Sequence, residues 1–284
     1  MLLSIITVNL NNAEGLKKTI DSIISQTSHE FEWIVVDGNS TDGSKELIEQ
    51  YSDRFAWWCS EKDSGIYNAM NKGVAHATGD YCLFLNSGDV LHSSTSIGDL
   101  IKSSIDDNSD FIIGKTLFSQ YGTISDIPDH ISMNWFYKYS IPHPSTLIRT
   151  VLLRRNPYDE SLKIVSDWKF FMQEIVLNNA SYSFADVLVT DFDCGGISSN
   201  TDACNLEREK VLSELFPKRV LDDYEMFRKS DYYYNTNYDR FFMELRRHRA
   251  SKLIYFFDVL LIKIVSIFCK GHRFVKKYSP IHFD

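Results

Sequence analysis

Residues 81–89 read Tyr81-Cys82-Leu83-Phe84-Leu85-Asn86-Ser87-Gly88-Asp89, an apolar run of strand length that breaks into a tight turn carrying a carboxylate. In open α/β sheets, ligands bind at such carboxyl ends of strands. Two runs upstream share the pattern: Ser4-Ile5-Ile6-Thr7-Val8-Asn9 and Trp33-Ile34-Val35-Val36-Asp37-Gly38 also end in polar residues. Between them and the turn, Ser60-Glu61-Lys62-Asp63-Ser64-Gly65-Ile66-Tyr67-Asn68-Ala69-Met70-Asn71-Lys72-Gly73 crowds polar and small residues where a plain strand-to-helix connection needs few. Several strand ends thus converge on one crevice, which has the composition of a nucleotide pocket.

Working outward, apolar periodicity predicts strand 2–8, helix 13–26, strand 32–36, a helix from Asp42 to 51 and strand 55–59. Helix 65–76, strand 81–85, helix 95–106 and strand 110–117 follow. This alternation predicts an α/β, Rossmann-type nucleotide-binding domain with a mostly parallel central sheet covered on both faces. Past 118 the pattern loosens around Pro128, Pro142, Pro144 and Pro157, with a helix over 168–178 and a strand over 182–189. From 204 the chain reads as largely helical. The expected organisation is a domain over 1–200, in halves 1–118 and 119–200, and a C-terminal helical extension over 201–284, with no internal repeat.

A chain of 284 residues that is 44% hydrophobic and 14% aromatic buries a sizeable core. Its five cysteines are an odd, scattered set without a C-x-x-C pair, against a disulfide framework or zinc site and in keeping with a reducing cytoplasm. Leu2 to Val8 is too short for a secretory h-region, so export by that route is not expected.

The net charge of −8 hides an asymmetry, because residues 240–284 carry ten Lys/Arg against three acids. Within that tail, 252–270 reads as an amphipathic helix: Lys252, Asp258, Lys263, Ser266 and Lys270 share one sector, opposite Phe257, Leu260, Leu261, Ile264 and Phe268. Two internal charges oppose full membrane crossing, so the helix is expected to lie peripherally at the inner face of the cell membrane, its basic flanks on anionic lipid. The alternative is a helix docked on the protein's own core or on a partner copy in a homo-oligomer. The tail's apolar content points away from nucleic acid.

Other nucleotide motifs fail. Gly38-Asn39-Ser40-Thr41-Asp42-Gly43-Ser44-Lys45 has the glycine spacing of a P-loop but misplaces its lysine, and no G-x-G-x-x-G follows the first strand. Asp42 reads as a cap for the helix that follows. No G-x-S-x-G frames Ser145, so a triad with His143 and Asp167 is unsupported.

What remains resembles the family-2 glycosyltransferases of GT-A fold, in particular bacterial enzymes of exopolysaccharide and surface-glycan assembly. The resemblance rests on the blocks at Ser4–Asn9, Trp33–Ser44, Ser60–Gly73, Ala77-Thr78-Gly79-Asp80 and Leu85–Asp89, in order and at family-like spacing. It is dense over 1–120, thinner to 200 and absent beyond. It implies a nucleotide-sugar half followed by an acceptor half. It also implies that Thr7, Val8 and Asn9 line the base and ribose, that Asp37 accepts hydrogen bonds from the base, and that Asp63 lies near base or ribose. Asn68 and Lys72 would lie near ribose or diphosphate, and Gly65, Asn86 and Ser87 complete the nucleotide-sugar set. A diphosphate needs cationic or N–H partners, which suits Lys72. On local grounds alone, Asn9 and Asn68 remain readable as turn or cap residues and Lys72 as a solvated helix lysine.

Asp89 stands where the family's acidic motif holds a divalent cation, Mn or Mg, although Asn86-Ser87-Gly88-Asp89 keeps only the last carboxylate of a full Asp-x-Asp. An ordinary turn aspartate is the alternative. Asp167, in Val165-Ser166-Asp167-Trp168, matches the family's general base for an inverting transfer, with a helix N-cap as the alternative. His143 matches a family histidine expected at the diphosphate or the acceptor, although a histidine between prolines also reads as structural. The implied reaction moves a sugar from a nucleotide diphosphate, with uridine expected as the base, onto a glycan or lipid-linked glycan. A nucleotidyltransferase and a catalytically silent membrane-surface assembly partner are the other readings left open.

Overall fold

The computed structural model describes residues 2–104, 107–192, 195–196 and 200–234. The predicted helix over 252–270 lies outside the described residues. The chain up to Pro217 forms one compact unit, and a second begins at Lys218.

The first unit is built on a nine-stranded sheet. Its strands are β1 (Leu3–Asn9), β2 (Phe31–Asp37), β3 (Trp57–Ser60), β4 (Tyr81–Phe84), β5 (Val90–Leu91), β6 (Phe111–Phe118), β7 (Thr123–Ile124), β8 (Thr146–Arg149) and β9 (Tyr182–Phe192). The order is β3-β2-β1-β4-β8-β6-β9-β5, with β7 on β6. β1, β2, β3, β4, β6 and β9 run one way and β5, β7 and β8 the other, so the sheet is mainly parallel.

Every residue of β1 is buried, as expected of a strand covered on both faces. On one face Leu3 and Ile5 pack with Leu16, Ile20 and Ile23 of α1 (Ala13–Ile24) and with Ile97 and Leu100 of α4 (Ser96–Ser103). On the other lies α3 (Ile66–His76), whose Gly73 comes so near Ile6 that a Cβ there would sit 2.5 Å from Ile6 Cγ2. Glycine thus lets the helix of the Ser60–Gly73 block lie close on β1. α2 (Ser44–Gln50) follows β2, and the Asp42 carboxylate serves two helix starts by accepting from Ala13 N–H at 2.8 Å and Ser44 N–H at 3.2 Å.

The later half contains α5 (Met133–Lys138), α6 (Thr150–Arg155) and α7 (Ser166–Phe171), the last running on as a π-helical segment, Met172–Leu177. α8 (Thr201–Leu215) belongs to this unit because the Glu207 carboxylate accepts from the N–H groups of Lys163 and Ile164 at 2.8 Å and Val165 at 3.2 Å. That contact fixes the start of α7. The second unit is described over α9 (Lys218–Tyr234). Among the described residues no helix is long and apolar enough to cross a membrane.

Candidate active site

The parallel strands β1 and β4 end side by side, with Ser87 N–H donating to Val8 C=O at 3.1 Å. The turn that follows closes through Asp89 N–H to Asn86 C=O at 3.0 Å, and Gly88 takes φ 109°, a left-handed value that glycine adopts freely. One buried hydroxyl from α1 organises this turn: Thr19 Oγ1 donates to Asp89 C=O at 2.8 Å and accepts from Gly88 N–H at 3.0 Å. Asn12 caps α1 and holds Ser87 C=O at 3.0 Å. The Asp89 side chain is thereby presented from a fixed backbone and is only 4% exposed.

Asn9 and Asn86 carry buried side-chain oxygens without a hydrogen-bond partner. For Asn9 the orientation is dictated, because its Nδ2 donates to Asp37 Oδ1 at 2.8 Å and to Ser40 Oγ at 3.2 Å, leaving Oδ1 turned away. Buried acceptors left unmet are costly unless something else meets them. The Thr7 hydroxyl accepts from the Trp33 indole at 3.0 Å, and its side chain is buried in the core. Val8 is buried beside it.

Asp37 is fully buried and accepts four hydrogen bonds, from Asn9, the Ser40 hydroxyl at 2.5 Å, Ser40 N–H at 3.0 Å and the Ser60 hydroxyl at 2.7 Å. Burial pushes its pKa up, but the donors from Ser40, Ser60 and Asn9 outweigh it and hold the carboxyl below its ordinary value. A base contact at Asp37 therefore requires one hydroxyl to give way. At Gly38 a Cβ would stand 2.6 Å from Asp63 Oδ2, so glycine admits the Asp63 carboxylate against the end of β2. Asp63 Oδ1 accepts from Gly65 N–H at 2.9 Å, with Gly65 at φ 136°.

Lys72 and Asn68 already have partners. Lys72 Nζ pairs with Glu61 at 2.7 Å, and that bond raises its pKa. Asn68 and Asn71 both donate to Glu160, at 2.9 Å each, tying α3 to the loop between α6 and α7.

Asp167 lies in the first turn of α7, where Val165 occupies the cap position, so it is not the N-cap. Its Oδ1 meets Tyr67 Oη at 2.8 Å. The Tyr67 phenol also reaches Ile164 C=O at 2.6 Å, and burial, with the nearby Asp167 charge, raises its pKa well above the usual value. His143, expected at the diphosphate or the acceptor with a structural role as the alternative, lies within the core. It is 8% exposed, stacked on Phe84 with ring centroids 4.6 Å apart, and its Nε2 is 2.7 Å from Tyr158 Oη. Burial pushes its pKa down to about 4, against the opposing pull of Asp167, so at neutral pH it is an uncharged packing residue. Tyr158 in turn lies 5.6 Å, ring to ring, from Tyr67. Sequence reasoning gave no role to Thr19, Tyr67 or Glu160, although Tyr67 stands inside the quoted Ser60–Gly73 block.

Among the described residues no three His, Cys, Asp or Glu side chains gather into a metal cluster. Asp89 and Asn86, whose Oδ1 is unmet, carry oxygen donors of the kind that would hold a hard cation such as Mg or Mn.

A family model described as glycosyl transferase family 2 matches residues 4–168, from the start of β1 to the residue after Asp167. A PGL/p-HBAD biosynthesis glycosyltransferase of Mycobacterium bovis is 28% identical over 210 residues, 70% of this chain and 80% of the relative. The poly(ribitol-phosphate) beta-N-acetylglucosaminyltransferase TarP of Staphylococcus aureus is 26% identical over 250 residues, 82% of this chain and 74% of TarP. Among solved structures, S. aureus TarS 1–349 shares the fold at TM-score 0.56 and 24% identity, covering 67% of this chain and 60% of that one. The same fragment in complex with UDP-GlcNAc matches at TM-score 0.58 and 21% identity over 79% of this chain and 70% of that one.

Proposed function

The chain belongs to glycosyl transferase family 2, a family of enzymes, and on that premise we propose that it moves a sugar from a UDP-linked donor onto a glycan or lipid-linked glycan of the bacterial surface, with inversion at the anomeric carbon. The observation that carries this reading is the pair of buried, unmet oxygens at the ends of β1 and β4, Asn9 Oδ1 and Asn86 Oδ1, the second in the same turn as the buried Asp89. Buried acceptors on adjoining strand ends suit hydroxyls or a cation brought by a ligand. The PGL/p-HBAD and TarP names support the surface-glycan class, and the UDP-GlcNAc complex of TarS supports uridine.

In this reading Asn9, Asp37 and Asp63 hold the nucleoside, and Asn68 and Lys72 turn from Glu160 and Glu61 to ribose and diphosphate. A divalent cation at Asp89 would neutralise charge on the departing diphosphate. Asp167 takes the proton of the acceptor hydroxyl as that oxygen bonds to the anomeric carbon and the bond from this carbon to the diphosphate oxygen breaks. Tyr67 holds Asp167 in place, and Tyr158 and His143 support Tyr67. The amphipathic stretch 252–270 would keep the enzyme at the inner membrane face, near a lipid-linked acceptor.

The test is Asp167→Asn, assayed for sugar transfer and for UDP binding. Transfer should fall about a thousandfold or more with UDP binding unchanged, in the range for a lost catalytic base; near-normal turnover would refute the assignment.

A further inference from the structure

A pocket of about 670 Å³ opens in the acceptor half, walled by the β6–β7 hairpin, the segment Ser125–Pro128, α5 and Arg208 of α8. Two of its lining residues, Tyr139 and Arg208, are held by the residue that follows the proposed base. Trp168, next in sequence to Asp167, donates its indole N–H to the carbonyls of Phe136 at 2.9 Å and Tyr139 at 3.1 Å, and Arg208 lies over its ring at 5.0 Å. Asp167's charge also acts on Arg208.

The lining has two chemistries. Trp135 and Tyr139 stand about one turn apart with ring centroids 5.8 Å apart, and Tyr139 is 57% exposed, so an aromatic face is offered to the pocket. Such faces pack against the C–H side of a sugar or polyol. Arg208 supplies a cation whose single hydrogen bond, to Lys138 C=O, is long at 3.4 Å, and whose Nε is buried without a partner. Among the described residues no carboxylate forms a direct ion pair with it, and Asp167 acts on it from further away. Asp126 and Lys138 also line the pocket, with opposite charges. Asp167 acts on this half-buried guanidinium only from beyond contact distance, so its planar fork, which matches phosphate and carboxylate, has room for an oxyanion.

We propose that this pocket is the acceptor subsite and that it takes an anionic glycan, a polyhydroxylated chain bearing phosphate or carboxylate groups, with the chain on Trp135 and Tyr139 and an oxyanion on Arg208. The proposal rests on Asp167 being the base. It also gives an acidic protein a local cationic point at which a polyanion can dock.

The experiment is a fluorescence titration of the full chain with poly(ribitol phosphate), polygalacturonate and uncharged dextran, with UDP binding measured in parallel. At least one polyanion should bind, more weakly as salt rises, and dextran should bind about tenfold more weakly or not at all. Arg208→Gln should weaken polyanion binding about tenfold. Tyr139→Ser, at an exposed position, should weaken it several-fold without moving the unfolding temperature. UDP binding should be unchanged in both variants. Binding of the polyanion preferred by the wild type shows whether phosphate or carboxylate is the natural group. Dextran binding as tightly as the polyanions, no polyanion binding by protein that binds UDP, or polyanion affinity unmoved by both substitutions would each overturn the proposal. Failure of the wild type to bind UDP would instead count against the donor reading.

Discussion

The Tyr67 hydroxyl stands 2.8 Å from Asp167 Oδ1 and 2.6 Å from the carbonyl oxygen of Ile164, so one phenolic proton faces two acceptors. While that proton is on Ile164, the phenol oxygen can accept from Asp167 once the carboxyl has taken up a proton. The same phenol can thus hold the carboxylate before proton transfer and the acid after it. Tyr67→Phe should therefore lower kcat for transfer about tenfold, the worth of one hydrogen bond to a charged group at about 1.5 kcal/mol, with UDP affinity unchanged. Steady-state kinetics with parallel UDP titration checks this, and an unaltered kcat would remove Tyr67 from the account.

Thr19 offers a test of the turn that presents Asp89. Replacing it with Val leaves Gly88 N–H and Asp89 C=O without their shared buried partner, a loss of about 1–3 kcal/mol. Thr19→Val should lower denaturant stability by that amount and weaken Mn-dependent UDP binding, whereas Thr19→Ser should keep both. Equal UDP binding by Thr19→Val would mean that the turn's geometry does not govern the nucleotide site.

His143 makes a prediction about pH. Its pKa is about 4 in the folded protein, held there by burial, and about 6.5 in the unfolded chain. Between those values the unfolded chain binds a proton that the native state refuses, so stability falls as pH drops through this window and is unaffected by this residue above it. The slope from this one group approaches about 1.4 kcal/mol per pH unit. His143→Gln, which keeps a partner for the Tyr158 hydroxyl, should flatten denaturation midpoints measured between about pH 6.5 and 4 relative to wild type. An identical slope in the variant would show that His143 is not the titrating group.

How much of this was legible in the sequence varies by region. β1, β2 and β4 are long enough and apolar enough that Leu3–Asn9, Phe31–Asp37 and Tyr81–Phe84 fall within a residue or two of the predicted runs. β8 was not expected: Thr146-Leu147-Ile148-Arg149 is four residues long, follows Pro142 and Pro144, and enters the sheet antiparallel between β4 and β6 by pairing across the fold rather than by local pattern. The predicted helix 168–178 is α7 continued as a π-helical segment, and hydrophobic spacing does not distinguish the two windings.

At the site, the turn Asn86–Asp89 and the block around Tyr67 were visible as strings of residues. The Tyr67–Asp167 and His143–Tyr158 contacts and the Glu160 clamp join positions far apart in the chain or across a loop, which single-sequence periodicity does not encode. His143 illustrates the difference: its residue type suggested chemistry, while its surroundings of Phe84, Tyr158 and Phe171 make it part of the core.

The central claim, a UDP-sugar site organised by Asp89, is tested most directly by calorimetric titration of UDP into the wild type and Asp89→Ala, each with and without Mn²⁺. Mn²⁺ should strengthen UDP binding to the wild type, and Asp89→Ala should abolish this gain. UDP binding that is absent with the metal present, or whose metal dependence survives in Asp89→Ala, would contradict it.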